Sequence, residues 1–145
     1  MRRGALPGAL AALLIVGCGS GSLSSSDLRR QATQICQSAR SASNRIPAPR
    51  GPAGGATFLR RGIAVLKPEL SRLRTLHASG GSASVYSTAL GAFSEKLRLL
   101  QEAVGALDAG ADPVSTFKNL QQQLQPLEGR ENEAWRSLEI PACEQ

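Results

Sequence analysis

The scarce side chains able to do covalent or metal chemistry in this chain are three cysteines, Cys18, Cys36 and Cys143, and one histidine, His77. A thiol can be acylated, pair with a second thiol or ligate a soft metal, and its surroundings decide which. Transition-metal sites need several His, Cys or carboxylate ligands converging on one point. These four residues are scattered, with no Cys-x-x-Cys or His-Glu-x-x-His spacing, and no Gly-x-Ser-x-Gly elbow or phosphate loop occurs. No catalytic residue, cofactor-binding residue or metal ligand is therefore assigned, and a non-catalytic protein without a cofactor is expected. Glu128, Glu131 and Glu133, interleaved with Arg130 and Arg136, have the composition of a carboxylate site. A solvated helix face with local ion pairs explains them more simply. Tyr86, Phe93, Phe117 and Trp135 are spaced as core residues, with pocket lining as the lesser alternative. His77 stands at the end of an apolar stripe, where packing or solvent contact accounts for it.

Cys18 has the most informative setting. Arg2 and Arg3 form a positive leader, and the apolar run from Leu6 to Val16 is broken only by Pro7 and Gly8. That run is about 11 residues long, against the ~20 of a membrane-crossing helix, so it has the length of a signal and not of an anchor. Ile15-Val16-Gly17-Cys18 resembles the lipobox of bacterial lipoproteins, with Ile15 in place of the commoner Leu. The resemblance implies cleavage before Cys18, a signal peptide over 1–17 and a diacylglycerol on the Cys18 thiol. An ordinary secretory signal with an incidental cysteine is the alternative. Gly19-Ser20-Gly21-Ser22-Leu23-Ser24-Ser25-Ser26 follows, and its composition predicts a flexible tether over 18–26 ahead of a folded domain over 27–145.

With Cys18 lipidated, Cys36 and Cys143 remain as one even pair in an oxidising space. A disulfide between them closes a loop of about 108 residues, for which chain entropy gives at most ~4 to 5 kcal/mol. Two separate buried thiols are the alternative.

About 128 residues past the signal suit one domain with a real core. Hydrophobic residues make up 41% of the chain and aromatic ones only 3%, so that core must rest on Leu, Ala and Ile. The net charge is +6 and unevenly spread. Cys18 to Gly80 holds ten Arg and Lys against two acids, whereas Ser82 to Gln145 holds five against nine. The two halves either complement each other across the fold or leave a basic surface for a partner. In the second case Arg29, Arg30, Arg60 and Arg61 are the candidate contacts to anionic lipid or an acidic envelope polymer. Nucleic acid is not an expected partner of an exported protein, and no protein partner can be named.

Four amphipathic segments predict an all-α, up-down four-helix bundle with helices at about 27–45, 57–77, 84–107 and 113–139. The first carries Leu28, Ala32, Ile35, Cys36 and Ala39 at helical spacing. The Pro- and Gly-rich stretch 47–55 must interrupt any helix. Thr57 is the expected N-cap of the second segment, whose stripe runs Leu59, Ile63, Leu66, Leu70, Leu73 and His77, with Pro68 expected to bend or split it. The third keeps Tyr86, Leu90, Phe93, Leu97, Leu100, Val104 and Leu107 on one face. Asp112-Pro113 reads as an N-cap followed by proline at the first helical position. Pro126 and Gly129 predict a kink in the last helix, and residues 140–143 an extended tail folding back toward Cys36.

The chain is similar to small secreted or lipidated helical proteins of high-GC Gram-positive bacteria. The matching parts are Thr33-Gln34-Ile35-Cys36, the Leu-rich middle stretch with its proline, and the ending Trp135-Arg136-Ser137-Leu138-Glu139-Ile140-Pro141-Ala142-Cys143. That resemblance implies a cysteine-tied helical bundle and no particular activity.

Overall fold

A computed structural model describes residues 21–144, so Cys18, the 1–17 signal and the start of the predicted tether lie outside the described residues. Among the described residues there are four helices, α1 (Ser25–Ser43), α2 (Gly55–Arg74), α3 (Ser82–Asp108) and α4 (Pro113–Ser137), arranged as a four-helix bundle. Single 3-10 turns precede α2 (Pro52–Gly54) and follow α4 (Pro141–Cys143).

Helix starts follow their caps. Ser24 caps α1: its hydroxyl accepts from the Asp27 amide at 3.2 Å, and the helix starts two residues earlier than the predicted residue 27. Thr57 does not cap α2, which begins at Gly55 without a side-chain cap. A β-carbon on Gly55 would lie 2.3 Å from the Phe117 ring of α4, so the ring in its present position packs directly over the glycine. At α4 the Asp112 carboxylate accepts from the Ser115 amide at 2.8 Å, with Pro113 next in line, as predicted.

Both interior prolines are accommodated without a break, so of the two expectations for Pro68, a bend or a split, the split is excluded, and the expected length of α2 to residue 77 is corrected. Pro68 and Pro126 are exposed, as are Ala64 and Gln122, whose carbonyls lose their i+4 donor to the prolines. A carbonyl on the solvent side of a helix can be satisfied by water in place of the missing bond. Helix α2 stops at Arg74, and His77 stands beyond it, exposed and outside the core stripe.

Helix α3 ends in Gly110 at φ 88°, with Ala111 N–H donating to Ala106 O at 3.0 Å, the Schellman arrangement. Helix α4 ends the same way on a residue that is not glycine: Glu139 has φ 58°, and Ile140 N–H donates to Trp135 O at 2.9 Å. The helix thus stops at Ser137, and the tail is a 3-10 turn, not the extended segment predicted. This reversal buries Ile140 completely and carries Cys143 to α1.

The core has two parts. One joins Leu28, Ala32 and Ile35 of α1 to Leu70, Leu73, Tyr86, Phe93, Trp135 and Ile140. The other, built from α2, α3 and α4 without α1, contains Leu59, Leu99, Ala103, Leu120 and Leu127. Burial of these side chains against one another drives the assembly. Tyr86 meets Trp135 edge-on at 5.8 Å between ring centroids, and its hydroxyl donates to Leu73 O at 2.7 Å near the end of α2.

Candidate functional site

Cys36 and Cys143 are joined by a disulfide, with Cα atoms 5.1 Å apart. The tail is held a second way, because the Arg40 guanidinium donates to Ala142 O (3.0 Å) and Glu144 O (2.7 Å).

The predicted tether is shorter than its composition suggested. Leu23 N–H donates to His77 O at 2.7 Å, Ser79 Oγ donates to Leu23 O at 2.8 Å, and Leu23 forms an isolated parallel bridge with Ala78. The Leu23 side chain also packs on the first core cluster. Residues 23–26 therefore belong to the folded domain, and only Gly19, Ser20, Gly21 and Ser22 separate Cys18 from a docked residue. His77 takes part through its carbonyl.

The four candidate arginines are not brought together. Arg29 pairs with Glu139 of the α4 cap, Arg30 with Asp27 at 2.6 Å, and Arg60 with Asp108 at the end of α3. Arg61 is exposed. Arg29 and Arg30 lie in the first turns of α1, beside the end of α2, whereas Arg60 and Arg61 lie near the start of that helix. At 1.5 Å per residue the two pairs are on the order of 20 Å apart along the bundle. Nearer to Arg29 and Arg30 are Arg72 and Arg74, both exposed, in the last turn of α2.

The chemistry that sequence reasoning missed lies inside the bundle. Lys96 Nζ sits 2.8 Å from Glu131 Oε2, with the two side chains 4% and 1% exposed. The Trp135 indole N–H donates to Glu131 Oε1 at 3.3 Å, and Lys96 Nζ lies 4.9 Å from the Phe93 ring centroid. Glu131 is thus no part of a solvated acidic face, because α4 turns it inward while Glu133 and Arg130 stay exposed. Glu69, on α2, is a third buried charged residue at 5% exposure, and its Oε2 has no hydrogen-bond partner among the described residues.

A signal for these residues was present in the stripes. Glu69 is three residues after Leu66 and four before Leu73; Lys96 stands likewise between Phe93 and Leu100. Glu131 is four after Leu127 and three before Ala134. Each charge occupies a core position of its helix.

Burial pushes the Glu69 carboxyl up to about 7 from 4.5; the Lys96 ammonium pulls it down, the Glu131 carboxylate adds to the rise, and the Arg40 guanidinium opposes it. Glu69 lines two clefts. One, of about 230 Å³, lies between α1, α2 and the tail; the other, of about 210 Å³, lies between α1 and α2 around Pro68.

Among the described residues, no group of three or more His, Cys, Asp or Glu is placed to hold a metal ion, and no helix is long and apolar enough to cross a membrane. Comparison of the chain with protein-family models, with curated proteins and with solved structures returned no match.

Proposed function

We propose that the protein is a cell-envelope lipoprotein, held at the outer face of the cell membrane by a diacylglycerol on Cys18, whose helical domain acts by contact and not by catalysis. The observation that carries this reading is Ile15-Val16-Gly17-Cys18 behind a short apolar run and Arg2-Arg3. The disulfide supports it, since such bridges belong to oxidising compartments. The sequence-pattern resemblance to small lipidated helical proteins of high-GC Gram-positive bacteria implies the same setting.

The five steps from Cys18 to Leu23 span at most ~18 Å fully extended, so the docked end of the bundle stays near the headgroups. The basic residues at that end are Arg29, Arg30, Arg72 and Arg74, which fit an anionic lipid or an acidic envelope polymer. Arg60 and Arg61 stand at the other end and are left out of this surface.

Replacing Cys18→Ser tests the anchor. Intact mass measurement and membrane fractionation in the native host should show loss of the lipid mass and of membrane residence. Unchanged mass and partitioning in the variant would overturn the proposal.

A second reading, a small-ligand or lipid binding module with its site in the bundle core, is favoured by one observation: the buried Glu69 side chain takes part in the lining of two clefts. Both readings hold for a single domain, because anchor and clefts use different residues.

A further inference from the structure

We propose that the open groove between α2 and α3 binds a linear acidic polysaccharide, with Lys67 and Arg74 as its cationic contacts. Such a ligand gives the contact role proposed above a partner and rests on that reading; only Arg74 is shared with the docked-end surface.

Where two antiparallel helices meet, residues seven apart line the edge of the seam, and opposite charges there pair across it. On α2 these edge positions are Arg60, Lys67 and Arg74; on α3 they are Asp108, Gln101 and Ser94. Arg60 pairs with Asp108, and Arg74 Nη2 donates to Ser94 Oγ at 3.0 Å. Those two contacts fix the register, because each step of seven up α2 meets a step of seven back along α3. Lys67 is thereby set level with Gln101, and both line the groove. All three α2 positions are basic, yet α3 answers with an acid only once. Lys67 and Arg74 are exposed, and neither has an ion pair among the described residues.

The groove measures about 620 Å³. The acid in its lining is Glu95, which accepts from Arg98 Nε at 2.9 Å, and Arg98 also pairs with Glu102. That triad carries one negative charge. Lys67 and Arg74 outweigh it and leave the groove one positive charge in excess, concentrated on the α2 wall. A helical bundle held by paired edge charges has no need of these two; an anionic ligand does.

Spacing and lining select the anion. Seven helical residues rise about 10 Å, so the two cations match anionic groups that far apart along a chain. Nucleic acid carries a phosphate every ~3.4 Å of strand and is held by stacking, and no aromatic residue lines this groove. A flat layer of lipid headgroups does not enter a recess along the side of the bundle, whose floor is the buried Leu70 and Leu97. A sugar chain with an acid on every second unit has the sparse charge required. Its hydroxyls find donors and acceptors in Ser71, Ser94 and Gln101, all in the lining.

The test uses the full chain in non-ionic detergent, where no headgroup layer competes, and titration calorimetry with a hyaluronan octasaccharide as the probe. Hyaluronan should bind at low salt and weaken as salt rises, whereas maltooctaose, neutral and of equal length, and monomeric glucuronate should give no detectable heat. Lys67→Gln and Arg74→Gln should each lower affinity about three- to five-fold. Gln101→Glu should lower it at least as much, because it gives Lys67 the acid that the register denies it, and should hold or raise the melting temperature. Arg61→Gln removes an exposed charge from the other flank of α2 and should leave affinity unchanged. Absence of hyaluronan binding would overturn the proposal, as would undiminished affinity in Gln101→Glu. Equal losses from Lys67→Gln and Arg61→Gln would do the same, since net charge alone would then be acting. The anchor is tested separately by Cys18→Ser, so a failure of this groove and a failure of the lipoprotein reading give different results.

Discussion

Lys96 of α3 and Glu131 of α4 form an ion pair of 2.8 Å in the interior of the bundle, 35 residues apart in sequence. Taking two charges out of water is costly, and their attraction offsets that cost only while both are present. Lys96→Met should therefore destabilise by about 3–5 kcal/mol, because it leaves Glu69 and Glu131 without their shared cation. The double variant Lys96→Met, Glu131→Leu should recover most of the loss. Urea denaturation of the four forms of the cycle measures this, and additive losses would contradict the pairing.

Glu69 makes stability pH-dependent in a direction opposite to most carboxylates. Its folded-state value of about 7 lies above the unfolded 4.5, so between those limits the native state holds more protons than the unfolded chain. Stability from this group is fully present below pH 4.5 and lost as pH rises through 7. The difference corresponds to at most about 3 kcal/mol. Asp27, Glu95 and Asp112 act the other way. The Ser24 hydroxyl, Arg98 and the Ser115 amide respectively hold them below their ordinary values, and their contributions vanish as pH falls further. Melting temperature should peak at about pH 5 and decline toward pH 8. In Glu69→Gln that decline should be nearly flat.

The α4 cap stores a measurable strain. Glu139 occupies the left-handed region at φ 58°, where a β-carbon costs roughly 1–2 kcal/mol and glycine pays nothing. Its ion pair with Arg29 is exposed and worth little. Glu139→Gly and Glu139→Ala both remove that pair, but only glycine relieves the backbone. Glu139→Gly should be about 1 kcal/mol more stable than Glu139→Ala by chemical denaturation. Equal stabilities would mean that the cap tolerates a side chain without strain.

Basic residues at the docked end should govern attraction to anionic lipid. The unlipidated Cys18→Ser chain should bind phosphatidylglycerol vesicles at low salt, lose binding as salt shortens the screening length, and ignore neutral vesicles. Changing Arg29, Arg30, Arg72 and Arg74 to Gln should lower affinity several-fold per charge, at about 1 kcal/mol each. Arg60→Gln with Arg61→Gln should change it little. Vesicle co-sedimentation makes the comparison, and equal losses from both sets would show that net charge alone acts.

Periodicity alone determined the helical class and the number of helices, because Leu59 to Leu73 and Tyr86 to Leu107 repeat every three or four residues, a property of the chain itself. The Asp112-Pro113 start was readable for the same local reason. Cysteine parity pointed to Cys36 with Cys143, and the fold brought them together. Tertiary structure decided the rest. Whether Pro68 and Pro126 break their helices depends on which face meets water, and whether Leu23 hangs free or docks depends on a carbonyl 54 residues away at His77. Glu69, Lys96 and Glu131 each looked like a gap in a stripe or a residue of a solvated face. A single helix cannot tell a surface charge from a buried one, since the partner that makes burial bearable comes from another helix, and only packing sets them side by side.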